Sequence, residues 1–395
     1  MSHARSEQDR GNGAPVSSSG RQIVVKVGVP SEVKNHEYRV AITPVGVNEL
    51  VRRGHEVFVQ VGAGLGSSIT DEEYAAQGAV MLDSAAETWA AGEMVMKVKE
   101  PIASEYGFLR DDLTLFTYLH LAADRPQTEA LLNAGTTAIA YETVQLPTGM
   151  LPLLYPMSEV AGCLAPQVGA HALMKAEGGR GVLMGAVGGV VNAKVVVLGG
   201  GVAGQNAANI ALGMGASVTV LDTDLEKLRM TFWRYENRVQ GIASTALSVR
   251  EQVLAADLVI GTVLIPGAKA PKLVTNDMVA QMKPGSVLVD VAIDQGGCFE
   301  DSHPTTHADP TFRVHNSTFY CVANMPGAVP NTSTWALTNA TLPYAVQLAN
   351  KGWKQACREN HPLALGLNTV EGQLACAPVA DAFDLGSVSL SSVLD

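Results

Sequence analysis

The sequence predicts an α/β protein built from two doubly wound parallel-sheet domains, with one domain inserted in the middle of the other. Three observations carry this prediction. Short apolar runs alternate with helical patterns from Ile23 onward, as in a parallel sheet covered on both faces. A glycine-rich turn opens a helix between two apolar runs at Val195–Asp222. The chain has 395 residues, more than one small core accommodates, and its 47% apolar and 16% charged content argues against global disorder.

The elements follow in order. Ile23–Val29 reads as a strand, Pro44–Arg53 as a helix, and Glu56–Val61 alternates like a second strand. Asp71–Gln77 looks helical. Met94–Val98, Leu113–Leu119 and Thr137–Tyr141 are further strands, with a helix at Gln127–Ala134. Ser158–Ala176 is a long helical pattern, broken only by Pro166, that can bridge two domains. Glycine-rich Gly178–Gly189 leads into the Val195–Asp222 unit. Strands at Leu258–Gly261 and Ser286–Val291 and helices at Val249–Ala255 and Asn276–Met282 continue it. A helix at Thr334–Asn350 is expected to return to the first domain. The expected division is 1–21 as a disordered tail, 22–152 with 331–395 as one discontinuous domain, and 153–330 as the inserted one.

Composition excludes several classes. A net charge of −11 leaves no electrostatic footprint for nucleic acid. The five cysteines are widely spaced and contain no CxxC, which disfavours a disulfide framework or zinc site and suits a reducing, cytoplasmic setting. The polar N-terminal tail lacks the apolar stretch of a signal peptide. Gly181–Gly201 carries Asn192 and Lys194 in its middle and reads as a loop feeding a buried strand, so no membrane partner is expected.

The glycine-rich turn is a dinucleotide fingerprint in its proper setting of strand, turn, helix, strand and acid. Gly199 allows the tight turn, Gly201 lets a pyrophosphate approach the backbone, and Gly204 lets the helix pack close to the strand. The pyrophosphate would sit on the helix N-terminus. Asp222 falls where a carboxylate binds ribose hydroxyls and repels a 2′-phosphate, so the expected cofactor is NAD rather than NADP.

Four polar positions interrupt apolar patterns near strand ends. Arg39 can hold a substrate carboxylate in its planar fork, or pair with Glu32 or Glu37 on a solvated loop. Lys99 can meet substrate at a strand tip, or belong with Lys97 to one solvated face. His120, among apolar neighbours, can be an acid/base group or a satisfied core histidine. Asp290 and Asp294 interrupt a buried run before Gly296-Gly297, whose backbone can approach a ligand. Either carboxylate can act in chemistry or be tied up by N–H groups of the following turn. His303 and His307 are separated by four positions, but Pro304 denies them a helix, and no metal site is expected.

Taken together, these segments resemble the L-alanine dehydrogenase family. VGVPSEVKNHEYRVAITP, KVKEP, TYLHLAA, AYETVQ, PMSEVAG, the glycine loop, IGTVLIPGAKAPKLV, VDVAIDQGGCFE and FYCVANMPGAVP run in family order across nearly the whole folded chain. The resemblance implies two Rossmann-like domains around a cleft, with the nucleotide domain inserted. It implies the reversible conversion of L-alanine, NAD and water to pyruvate, ammonium and NADH, and commonly a homohexamer. By the same resemblance Arg39 and Lys99 bind the substrate carboxylate and keto oxygen. His120 is the acid/base group, and Asp294 assists proton transfer. Cofactor contacts are implied at Ser158, Val202, Ala203, Asp222, Lys227, Ser244, Val263, Leu264, Val291, Asp294, Asn324 and Met325, beside Gly199, Gly201 and Gly204. Gln347 and Lys351 stand where relatives place metal ligands, and their side chains do not suit a magnesium ion. The nearest rival is a soluble transhydrogenase component, and a more distant one is a silent NAD-binding protein. Neither needs Arg39, Lys99, His120 and Asp294 together.

Overall fold

The structure is a computed structural model that describes residues 23–185, 187–263 and 270–395. The tail expected at 1–21 and the contact expected at Leu264 lie outside the described residues.

The first body begins with β1 (Lys26–Val29), α1 (Pro44–Arg52), β2 (Glu56–Gln60), α2 (Asp71–Ala76), β3 (Val80–Leu82) and α3 (Ala85–Ala91). It continues with β4 (Met94–Met96), β5 (Thr114–Thr117), α4 (Arg125–Ala134) and β6 (Thr137–Ala140). Helix α5 (Tyr155–Ala172) leads to the second body. There follow β7 (Lys194–Leu198), α6 (Val202–Gly213), β8 (Ser217–Asp222), α7 (Leu225–Arg234), β9 (Val239–Ala243) and α8 (Ala246–Ala255). Then come β10 (Leu258–Gly261), α9 (Asn276–Gln281), β11 (Val287–Asp290) and the β12 (Thr311–Val314) and β13 (Ser317–Tyr320) hairpin. Helix α10 (Pro330–Glu359) returns to the first body, where β14 (Leu367–Val370) and β15 (Gln373–Leu374) close the sheet.

The two sheets run β15-β14-β6-β5-β4-β1-β2-β3 and β12-β13-β11-β10-β7-β8-β9. The first therefore takes strands from both ends of the chain and the second takes them from the middle. Pairing is parallel except at β12–β13, β14–β15 and β14–β6. The valine-rich strands are buried on both faces, as parallel sheets under helices require. Capping boxes start α2 at Thr70 and α3 at Ser84, satisfying the first free N–H groups of each helix.

Helix α5 joins the two cores. Met157 and Val160 pack into the first, Ala161, Leu164 and Ala165 into the second. The helix passes through Pro166 without ending there. Helix α10 is longer than its sequence pattern implies, and turns at Gly352 with φ 71°.

Several strands are shorter than the apolar runs that signal them, and one difference matters. Strand β4 ends at Met96, so alternation does not extend to Lys97 and Lys99. The two lysines share no solvated face. Lys97 is wholly buried, with Nζ 3.2 Å from Glu32 Oε2 and 2.9 Å from Glu105 Oε1. Burial raises the Glu32 carboxyl against the pull of Lys97. Burial also opposes charge on Lys97, but the two carboxylates outweigh it and keep the ammonium charged.

Candidate active site

The residues expected to meet a nucleotide lie at the carboxyl edge of the second sheet, where parallel strands leave their loops. Along the strand order, Asn324 and Met325 follow β13, Val291 and Asp294 follow β11, and Val263 follows β10. Gly199–Gly201 follow β7, Asp222 ends β8, and Ser244 follows β9. Residues far apart in sequence thus form one continuous rim.

Each glycine in the turn has its own steric reason. Gly199 adopts φ 101°, left-handed backbone that favours glycine. A Cβ on Gly204 would lie 1.8 Å from Gly199 O, so any side chain there would part α6 from β7. A Cβ on Gly201 would meet nothing within 4 Å, leaving that backbone open to an approaching group. Gly162 of α5 fits against α6, where a Cβ would lie 2.3 Å from Ala203 O. Thr262 Oγ1 donates to Leu198 O or Gly199 O, each at 2.9 Å, and so braces the turn. Sequence reasoning missed this threonine, because its role needs β10 beside β7.

Asp222 is buried, and its Oδ2 accepts the Gly200 N–H at 2.7 Å. Its Oδ1 accepts the Asp224 N–H at 2.8 Å. Lys227 Nζ stands 3.5 Å from Oδ2, so this lysine is paired rather than merely solvated. Ser244 N–H donates to Asp222 O at 2.9 Å, and Val291 N–H to Gly261 O at 2.9 Å. Ser158 lies half-buried on α5, near the crossing with α6. An open glycine backbone, a helix N-terminus and a carboxylate at the end of the next strand make a donor set that fits a dinucleotide.

The opposing side is the carboxyl edge of the first sheet. Arg39 follows β1, Lys99 follows β4, His120 follows β5 and Glu142 follows β6. Arg39 is buried, and its fork is already engaged. Its Nε lies 2.7 Å from Glu37 Oε1 and its Nη2 2.5 Å from Glu37 Oε2. The expected alternative of an Arg39–Glu37 pair is correct in partner but not in setting, because the side chains are 2% and 0% exposed rather than solvated. A two-bond grip on substrate through the same Nε/Nη2 edge is therefore not available in this arrangement. What remains is Nη1, which faces Met157 Sδ at 3.0 Å, a weak acceptor for a buried cation. Burial opposes ionisation of Glu37, but its bonds to Arg39 prevail and hold the carboxyl below its usual range.

Asn324 joins the two edges. Its Oδ1 accepts Arg39 Nη2 at 2.8 Å and its Nδ2 donates to Glu37 Oε2 at 3.0 Å. Asn324 adopts φ 60°, and His307 Nε2 lies 3.2 Å from its carbonyl oxygen. His36 and His307 meet edge-on across the same seam, ring centroids 6.0 Å apart.

His120 is not a core histidine. Its side chain is 41% exposed at the end of β5, with φ 52°. Glu142 Oε1 accepts the His120 N–H at 2.6 Å and the Leu119 N–H at 3.1 Å, holding this backbone in place. Lys99 is half-buried, and Glu32 Oε2 accepts its N–H at 3.3 Å. Glu32 and Glu142 had no role in the sequence reading beyond a possible Glu32 pairing. Their tasks lie in contacts between neighbouring strands, which one strand's pattern does not reveal.

The two aspartates after β11 separate cleanly. Asp290 is fully buried and tied up by the following turn, as its second reading held. It accepts Cys298 N–H at 2.8 Å, Phe299 N–H at 3.3 Å, Ala292 N–H at 3.2 Å and Ser302 Oγ–H at 2.5 Å. Burial nonetheless raises its carboxyl above the usual range. Of the pair expected to admit a ligand, Gly297 approaches Asp290, where a Cβ would lie 2.5 Å from Oδ2, and a Cβ on Gly296 would meet nothing within 4 Å. Asp294 is exposed in the short turn Ile293–Gln295. Among the described residues no group of three or more His, Cys, Asp or Glu side chains can hold a metal ion. Gln347 is bonded to Pro343 and Asn360, Lys351 to Glu359, and His303 stacks on Phe312 with centroids 3.7 Å apart.

Comparison with known proteins agrees with this two-sided arrangement. The family described as alanine dehydrogenase/PNT matches through its N-terminal domain at residues 28–161 and its C-terminal domain at 165–377. Alanine dehydrogenase from Mycolicibacterium smegmatis is 61% identical over 359 residues, covering 91% of this chain and 97% of the relative. Alanine dehydrogenase from Mycobacterium tuberculosis is 60% identical over 370 residues, 94% of this chain and all of that one. A solved structure of L-alanine dehydrogenase superposes with a TM-score of 0.88 at 50% identity, covering 91% of this chain and 99% of the other. A transhydrogenase from Sinorhizobium meliloti superposes less closely, with a TM-score of 0.75 at 27% identity over 89% and 99%. Matches through both family domains and at this identity over this length show that the chain belongs to the alanine dehydrogenase/PNT family.

Proposed function

We propose that this protein catalyses the reversible oxidative deamination of L-alanine with NAD and water, giving pyruvate, ammonium, NADH and a proton. The observation that carries the proposal is the pairing of two strand-end rims. One is shaped for a dinucleotide and the other bears Arg39, Lys99 and His120, with Asn324 bonded across both. NAD, when bound, supplies the acceptor for the hydride that leaves the substrate Cα.

The chain's own residues supply the rest. Lys99 and Arg39 provide a cationic field for the substrate carboxylate and the developing carbonyl oxygen. Arg39 acts through Nη1, the edge Glu37 leaves free. His120 accepts a proton from the amine, or from the water that attacks the iminium, and returns it in the reverse direction. Asp294, exposed after β11, assists that transfer. Gly199, Gly201, Val202, Ala203 and Gly204 receive the pyrophosphate, and Asp222 with Lys227 lies by the ribose. Ser158, Ser244, Val263, Leu264, Val291, Asn324 and Met325 complete the contacts. A homohexamer and a cytoplasmic setting are part of the same reading. The only finding bearing on location is that no described helix is long and apolar enough to cross a membrane.

The first test is NADH formation with L-alanine against D-alanine, glycine, L-serine and L-leucine, with NADP in parallel. Turnover mainly with L-alanine and NAD is expected. NAD binding without turnover in either direction refutes the proposal and favours a transhydrogenase component or a silent binder. His120→Ala and Asp294→Asn are each expected to lower turnover at least ~100-fold while NAD affinity stays near that of the parent. Unchanged turnover removes the residue concerned from the mechanism.

A further inference from the structure

We propose that Glu100 is the positioning residue of His120: its buried Oε2 accepts the Nδ1–H, which leaves Nε2 as the basic nitrogen of the neutral ring. This rests on the reading of His120 as the acid/base group.

Glu100 follows Lys99 directly and turns inward, 9% exposed. Its Oε1 is paired with the ammonium of Lys34. Its Oε2 is buried without a well-formed hydrogen bond and lies 3.5 Å from His120 Nδ1. A buried carboxylate oxygen in that position is costly unless it gains a donor, and the imidazole N–H is the donor at hand. The ring is held at its root as well, since Glu142 grips the His120 N–H. One carboxylate fixes where the ring begins and the other fixes which way it turns.

The tautomer follows from acceptor chemistry. Burial disfavours charge on Glu100, but the contact with His120 and the cations of Lys99 and Lys34 outweigh it and hold the carboxyl well below its usual range. An ionised carboxylate only accepts, so Nδ1 must carry the hydrogen. The charged groups facing His120 are Glu100 after β4, Glu142 after β6, Lys99, and Lys34 from the β1 loop through Glu100. Tyr118 packs beside the ring at 5.8 Å between centroids, and Tyr106 lies in the field of Glu100.

The test is the pH dependence of kcat/KM for L-alanine, whose low-pH limb reports the proton on the acid/base group. Glu100→Gln removes a negative charge beside His120, so the limb moves to lower pH by about one unit. Lys34→Gln removes the opposing cation, so the limb moves to higher pH. Glu100→Asp is expected to restore part of the parental limb. A merely structural role lowers rates without moving the limb in opposite directions. A limb unmoved in both Gln variants overturns the proposal. If Glu100→Gln does not fold, Lys34→Gln, altered at a side chain 40% exposed, decides alone by the presence or absence of its upward shift. His120→Ala separates this from the parent reading. If that variant keeps both turnover and limb, His120 is not the acid/base group. If it loses them while Lys34→Gln leaves the limb in place, only the role of Glu100 fails.

Discussion

Replacing Glu37 by Gln should expose the energetic weight of the seam between the two bodies. The Glu37 carboxylate receives the Arg39 N–H at 3.1 Å, Nε at 2.7 Å, Nη2 at 2.5 Å and Asn324 Nδ2 at 3.0 Å. Glutamine preserves the shape and one acceptor oxygen, but not the charge. Arg39 would then be a buried cation facing only neutral acceptors, the glutamine oxygen, Asn324 Oδ1 and Met157 Sδ. Removing one partner of a buried pair costs about 3–5 kcal/mol. The retained oxygen argues for the lower end, about 3 kcal/mol. At roughly 2 °C per kcal/mol for a chain of this size, the melting temperature falls by about 6 °C. The assay is urea and thermal unfolding at one fixed protein concentration, since assembly would otherwise contribute. The effect should also depend on pH. The folded Glu37 carboxyl lies below its usual value of 4.5, so its stabilisation is complete above that value and is lost as pH falls through the folded one. The gap between parent and variant should therefore close in acid. Glu37→Leu with Arg39→Met, which removes both charges, should cost less stability than Glu37→Gln alone. A Glu37→Gln protein with the parent's urea midpoint at neutral pH would refute the reasoning.

Three further outcomes are expected. Gly204→Ala places a Cβ 1.8 Å from Gly199 O, so α6 must move off β7; NAD affinity by calorimetry should fall at least ~10-fold and thermal stability by about 2 kcal/mol, and a parent-like variant would mean the turn adjusts freely. Asp222→Ala should relax the preference for NAD over NADP in steady-state assays, while loss of the Gly200 N–H bond weakens both; an unmoved NAD/NADP ratio would remove Asp222 from ribose recognition. Burial lowers the proton affinity of His307 below its usual 6.5, so the native state holds this ring neutral. Stability is then lost as pH falls through about 6.5 toward the folded value, and a His307→Gln variant should show a flatter stability profile across that window by thermal unfolding.

What could be read from sequence was local. The β7 turn, α6 and Asp222 lie within one supersecondary unit, so glycine spacing and hydrophobic period describe them without reference to the rest of the chain. Buried strands such as Leu258–Gly261 were legible for the same reason, while the short strands β3, β9, β12 and β15 were too brief or too polar to show a period. Apolar alternation placed Lys97 and Lys99 on one face, and the early end of β4 undid that. The fate of each polar residue was decided by partners brought in from elsewhere. Glu142 reaches His120 from the neighbouring strand, Asn324 reaches Arg39 from the other body, and β14 closes the first sheet against β6 after the whole second body has intervened. Arg39 shows the difference most plainly. Its sequence neighbours allowed either a substrate clamp or a solvated ion pair. Only the packing of Met157 and Asn324 around it made the pair buried and left Nη1 as the one edge outside the bonds to Glu37 and Asn324. Local pattern indicates which element forms, because that depends on backbone geometry over a few residues, whereas the ends of β4 and α10 were set by the structure around them. Which charges are desolvated, and by whom they are compensated, depends on surfaces that meet only when the chain has closed.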